Sequence, residues 1–173
     1  PEAKSIVMEI GTGMGEATAE IARTFPEIGF FAVELHKPGL GSLLSKIAEY
    51  ELKNVRLISE DARVLLEESF PDESLDGFHL YFPDPWPKVR HRKRRIVQDD
   101  FVSLIHKKLK PGGYIHIATD WVEYADWIAK KFESSKLFTG GEIEKPNYRP
   151  TTRFEGQGIR KGHRVTDLKY LKA

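Results

Sequence analysis

The stretch SIVMEIGTGMGEATAEIARTF, Ser5 to Phe25, decides the fold. SIVMEI is a near-continuous apolar run that ends in a glycine-rich turn, and Ala17, Ile21 and Phe25 then recur at four-residue steps, the apolar face of a helix. A strand without alternation is buried on both faces, which is the habit of parallel sheets covered by helices. The pattern repeats: residues 29–35 (GFFAVEL), 55–59 (VRLIS), 75–82 (LDGFHLYF) and 113–120 (GYIHIATD) read as strands, with helices over 39–52, 62–70 and 97–109 between them. Trp121, Tyr124, Ala125, Ile128 and Phe132 mark one more amphipathic helix, and 137–144 and 164–171 read as two last strands joined by a Gly/Pro/Arg-rich loop. The expectation is an α/β fold with helices on both faces of a mostly parallel sheet, in a single domain spanning 1–173.

At 40% hydrophobic and 31% charged residues the chain has the composition of a folded globular protein. No apolar run approaches the ~20 residues of a membrane span. With no cysteine there is neither a disulfide framework nor a thiolate metal site, so a cytoplasmic protein without a metal or a membrane partner is expected. The chain opens at Pro1 and enters a strand almost at once, so a preceding N-terminal segment is expected. The net charge of +1 is unevenly spread. Residues 88–95 (KVRHRKRR) carry six positive and no negative charges and residues 149–164 a net +4, which leaves the rest of the chain at −9. Concentrated positive charge of this kind suits a polyanion-binding face, although most charge runs are merely solvated.

Open α/β sheets bind ligands beyond the carboxyl ends of their strands. Those ends carry Glu9, Glu34, Asp61, Asp84 and Asp120. In EIGTGMG, Gly11 and Gly13 would let a ligand approach the backbone, yet a glycine pattern alone is weak. Glu16 stands where a dinucleotide site wants a small residue, and Glu9 and Glu16 would both repel a pyrophosphate. A phosphate-free ligand with a cationic amine would be attracted instead, and S-adenosylmethionine is one. Glu34 lies 19 residues after Gly15, the spacing at which an acid accepts from ribose hydroxyls. Asp61 either accepts from an adenine amino group, beside Ala62, or simply caps the next helix.

The stretches EIGTGMG, VELHKPGLG, EDA, FPDPWPKVRHRKRR, ATDW and RPTTRFEGQGIRKGHRVTDL together resemble the bacterial tRNA (guanine-N7-)-methyltransferases, in order and across almost the whole chain. The first three are generic to S-adenosylmethionine-dependent methyltransferases; the last three are far more specific. Val89, Arg153 and Gln157 depart from the family's usual residues. The resemblance implies a Rossmann-like methyltransferase fold, a seven-stranded sheet with its last strand antiparallel, and methylation of a guanosine in the tRNA variable loop, yielding S-adenosylhomocysteine. It implies that Glu9, Gly11, Gly13, Glu34, Asp61, Ala62 and Asp84 contact the cofactor and that Asp84 is catalytic. Lys88, Asp120, Thr152, Arg153, Phe154 and Glu155 match substrate-binding positions, and Arg90, His91, Arg92, Lys93, Arg94 and Arg95 the RNA-contacting run.

Guanine N7 carries an in-plane lone pair and no proton, so attack on a sulfonium methyl needs no base. Holding N7 in line at roughly 3–3.5 Å and tolerating positive charge on the purine would suffice. A proline-flanked Asp84 suits an orienting and electrostatic role. Three structural alternatives stand beside these readings: PDPWP as a rigid turn with Trp86 packing, Asp120 and Glu123 as a capping box, and the basic run as a solvated face. The competing functions are a methyltransferase for another RNA, a protein or a small molecule, and a non-catalytic RNA-binding domain. Whether the chain is a monomer or a homodimer is not written in the sequence.

Overall fold

The computed structural model describes residues 2–173. Seven strands form one sheet: β1 (Ser5–Ile10), β2 (Ile28–Val33), β3 (Val55–Ile58), β4 (Leu75–Tyr81), β5 (Leu109–Thr119), β6 (Phe138–Ile143) and β7 (Thr166–Lys172). Six helices connect them: α1 (Glu16–Thr24), α2 (Lys37–Glu49), α3 (Ala62–Ser69), α4 (Asp99–Lys108), α5 (Val122–Ser135) and α6 (Arg153–Arg160). The strand order is β3-β2-β1-β4-β5-β7-β6, and β7 runs antiparallel to both of its neighbours while the other pairings are parallel. This is the mostly parallel seven-stranded sheet with an antiparallel last strand that was expected.

Successive side chains of a strand point to opposite faces, and β1 serves two apolar layers in this way. Met8 and Ile10 pack with Phe78, Leu80, Ile115 and Ile117 against Phe101 and Ile105 of α4 and Tyr124, Ile128 and Phe132 of α5. Val7 packs with Phe30 and Ala32 against Ile21 of α1 and Leu43 of α2. No helix among the described residues is long and apolar enough to cross a membrane.

Two elements differ from the sequence expectation. The basic run coils into a 3-10 turn over Val89–Arg94, and the expected loop between the last two strands contains α6. Neither shows an apolar stripe, the periodic signal on which helix assignment rests. β5 also begins four residues earlier than expected, at Leu109, and its pairing with β4 shifts register between Leu75 and Gly77.

Candidate active site

The strand order reverses between β1 and β4, which makes the crevice at their carboxyl ends the switch point of the sheet. Gly15 caps α1 at φ +80°, and a Cβ there would fall 2.8 Å from Leu43 Cβ. A Cβ on Gly39 would meet the Gly13 carbonyl oxygen at 2.1 Å, so the β1–α1 and β2–α2 loops touch through glycine. Glu34 ties them further: one carboxylate oxygen accepts from Gly13 N at 2.7 Å, the other from Leu35 N and His36 N at 2.9 Å each.

A cavity of about 290 Å³ opens beside this junction. The glycine turn with Glu9, Thr12 and Met14 forms one wall, Tyr81 and Phe82 another, and Thr152 and Phe154 of the α6 entry a third. Glu9 is 2% exposed and accepts from Thr18 Oγ1 at 2.5 Å. Burial pushes its carboxyl up to about 7; the Thr18 bond opposes that shift and the nearby Glu34 charge adds to it. Thr12 Oγ1 is buried without a hydrogen-bond partner. A buried acid, an orphaned hydroxyl and a second acid bonded to the glycine turn fit the amine and hydroxyls of a nucleoside that carries an amino-acid arm. The cavity thus gathers Glu9, Gly11, Gly13, Thr152 and Phe154, with Glu34 bonded to its glycine turn.

Asp61 and Ala62 line a different cavity, of about 480 Å³, with Lys93 and Arg94. Asp61 caps α3, accepting from Arg63 N at 2.9 Å and Val64 N at 3.2 Å, so the structural alternative for it is realised.

Asp84 stands exposed on the turn after β4 and accepts from Trp86 N at 3.1 Å. Phe82 (φ 52°) and Trp86 (φ 40°), on either side of Pro83–Asp84–Pro85, both hold the left-handed conformation that bulky residues avoid. Such strain persists only where surroundings over-determine it. Here Phe82 N donates to Ala118 O at 2.7 Å and Arg95 Nε to Pro85 O at 2.7 Å.

Arg95 therefore corrects the sequence reading. It is 1% exposed and makes a two-pronged ion pair with Glu123, with its guanidinium over the rings of Tyr124 and Trp127 at 4.8 and 4.9 Å. It holds the Asp84 turn and has no surface to offer RNA. Arg92 shares Glu123 at 3.4 Å, so the run does have a neutralising acid, supplied by α5. That engagement also removes Glu123 from the expected capping box; the side chain of Asp120 instead meets His163 Nδ1 at 3.3 Å. The exposed cations are Lys88, Arg90, Lys93 and Arg94. Trp86 packs among them, edge-on to His91 (5.8 Å) and beneath Arg94 (5.1 Å). Arg95→Ala is expected to cost about 2–3 kcal/mol in a denaturant titration, since it empties the buried space against Tyr124 and Trp127 and leaves the Pro85 carbonyl without its donor, whereas Glu123 is exposed enough to be solvated. Lys93→Ala and Arg94→Ala should stay within about 0.5 kcal/mol of the parent.

Glu155 is a second correction. It is 2% exposed and bound by Arg149, so it braces α6 and is not free to touch substrate. Thr152, at the N-cap, accepts from Glu155 N at 3.3 Å, while Phe154 is 60% exposed beside the cavity. Arg153 N donates to Glu16 Oε2 at 2.9 Å, which gives Glu16 a role that its charge alone did not suggest. Sequence reasoning missed Thr12, Thr18 and Tyr81; only the carboxyl-end position of Tyr81 could have signalled it.

The family model described as "Putative methyltransferase" matches residues 3–168. The tRNA (guanine-N(7)-)-methyltransferase of Nitrosomonas europaea is 51% identical over 169 residues, covering 96% of this chain and 75% of that protein. That of Neisseria meningitidis is 48% identical over 169 residues, covering 96% and 71%. Among solved structures, the 16S rRNA methyltransferase KamB superposes with a TM-score of 0.71 at 15% identity, over 99% of this chain and 89% of that one, and shares the fold. With about half of its residues identical across nearly its whole length, this chain belongs to the S-adenosylmethionine-dependent tRNA (guanine-N(7)-)-methyltransferase family.

Proposed function

We propose that the protein transfers a methyl group from S-adenosylmethionine to N7 of a guanosine in the tRNA variable loop, in the crevice between β1 and β4. The observation that carries this reading is the adjacency of a buried, amine-seeking Glu9 in the cavity to a clamped Asp84 turn that runs straight into exposed cations. When bound, the sulfonium supplies an electrophilic methyl. Glu9 pairs with the cofactor's amine, Thr12 Oγ1 takes one of its polar groups, and Glu34 accepts from the ribose while keeping the glycine turn in place. Asp61 and Ala62 border the adenine end, next to the basic turn. Asp84 orients the guanine edge and its charge stabilises the cationic purine that forms, with no proton to remove.

Lys88, Arg90, Lys93 and Arg94 neutralise tRNA phosphates and set its register without reading sequence. Asp120, Thr152, Arg153 and Phe154 flank the base, with Phe154 presenting a ring to stack on. Replacing Arg90, Lys93 and Arg94 together with Ala is expected to flatten the salt dependence of tRNA binding by roughly 0.7–0.9 log units per lost phosphate contact. An unchanged slope would reduce the run to a solvated face. The reading as a whole is tested by labelled S-adenosylmethionine offered with unmodified tRNA, protein and small-molecule extract. Label should enter the tRNA fraction; label in either of the others would contradict the proposal.

A further inference from the structure

Helix α6 lacks the usual means of attachment. Glu155 is its one buried residue, and Gly156 and Gly158 would leave so short a helix unstable by itself. No apolar stripe docks it, so polar contacts set its position. The largest set centres on Arg149, in the loop that enters the helix, itself 2% exposed. Arg149 Nε and Nη2 donate to the two oxygens of Asp167 on β7, at 2.7 Å each. Its Nη1 and Nη2 donate to the two oxygens of Glu155 at 2.6 and 3.1 Å. Lys145 Nζ lies 3.7 Å from Glu155, so two cations face two carboxylates.

The cluster reaches the cavity wall from below. Asp167 also accepts from His116 Nε2 on β5 at 2.7 Å, and His116 Nδ1 meets the hydroxyls of Tyr81 at 2.9 Å and Tyr148 at 3.0 Å. The Arg149 guanidinium lies 5.9 Å from the ring centroid of Tyr81 and 5.7 Å from that of Phe82, the two rings that line the cavity. Above them Phe154 meets Phe82 edge-on at 5.7 Å, and Asp120 touches His163 just past the far end of α6.

We infer that Arg149 is a positioning residue for methyl transfer: by gripping Asp167 and Glu155 together it fixes α6, with Thr152 and Phe154, over the cofactor cavity and the Asp84 turn. The inference rests on the function proposed above. A buried ion cluster is weak evidence for stability, since apolar replacements of similar volume are often neutral or better. This one spans three parts that must keep register during the reaction: the sheet, the cavity wall and the helix facing the substrate. A displacement of about 1 Å at such a place can cost roughly 10²-fold in rate. Lysine, a point charge on a flexible stem, cannot reproduce two forks.

The test is Arg149→Lys, with turnover measured per bound S-adenosylmethionine and amide exchange followed along the chain. The expected result is a loss of at least about tenfold in kcat per occupied site. Cofactor Kd should rise by less than kcat per occupied site falls, because the Thr152 and Phe154 wall loosens while Glu9, Glu34 and the glycine turn are untouched. Amides of 153–160 should exchange faster while those of β5 do not. A purely structural role would lower the melting temperature and the number of competent sites but leave kcat per site unchanged, and that result overturns the inference. Unchanged protection of α6 overturns it too. Should Arg149→Lys not fold, Glu155→Gln cuts only the arm to α6 and is read the same way. If the parent protein fails to methylate tRNA, the proposed function falls, and the exchange of α6 alone decides whether Arg149 anchors it.

Discussion

Replacing Asp84 with Ala is expected to lower kcat by roughly 10²–10³, the range seen when one preorganised electrostatic group is taken from a transition state. Binding of tRNA should change little, because the exposed cations lie outside the turn. The reason is geometric as much as electrostatic. Two left-handed aromatic residues, two prolines and the Arg95 clamp leave the Pro83–Asp84–Pro85 backbone little freedom, so the carboxylate meets the developing purine cation without reorganising. Asp84→Asn separates the two contributions. It retains an acceptor for Trp86 N and removes only the charge, and it should lose most of what Ala loses. Normal turnover in either variant would mean that Asp84 is only part of a rigid turn.

Glu9→Gln is expected to produce opposite effects on binding and on stability. Cofactor binding should weaken by about 3 kcal/mol, or roughly 10²-fold in Kd, through loss of a desolvated charge partner for the amine. The ligand-free protein should become more stable. Below pH 4.5 Glu9 holds its proton both folded and unfolded, so it contributes no difference. Between 4.5 and about 7 the unfolded chain releases that proton while the folded one keeps it, and stability declines as pH rises; above about 7 the loss is complete. The cost at pH 8 is on the order of 3 kcal/mol, and glutamine escapes it. Thermal scans should therefore show Glu9→Gln above the parent at pH 8 and level with it at pH 4. The same linkage makes cofactor affinity in the parent fall below pH 7, by up to about tenfold per unit, because the amine requires the ionised acid. Equal affinity and equal melting across pH would contradict this placement of Glu9.

The features legible in the sequence are those written locally. β1 announced itself by an uninterrupted apolar run, and the glycine turn with Glu9, Glu34 and Asp84 followed from the rule that α/β ligands sit beyond strand ends. Arg95 escaped because six cations within eight residues look alike. Only Glu123, 28 residues on, selects which of them turns inward. Glu155 was assigned by its neighbours Thr152 and Phe154, yet the side chain points the other way, into the grip of Arg149. Helix α6 was invisible for a related reason: its single buried residue is charged, so neither hydrophobic periodicity nor propensity marks it. Asp61 shows the reverse case, where the structural alternative read from sequence, a helix cap, is the contact found.

The central claim is that this crevice alkylates a ring nitrogen that carries no proton. Its most direct test is digestion of the labelled tRNA to nucleosides after a single round of methylation. The account predicts that the label elutes as 7-methylguanosine; label in any other nucleoside, or at another atom of guanosine, would contradict it.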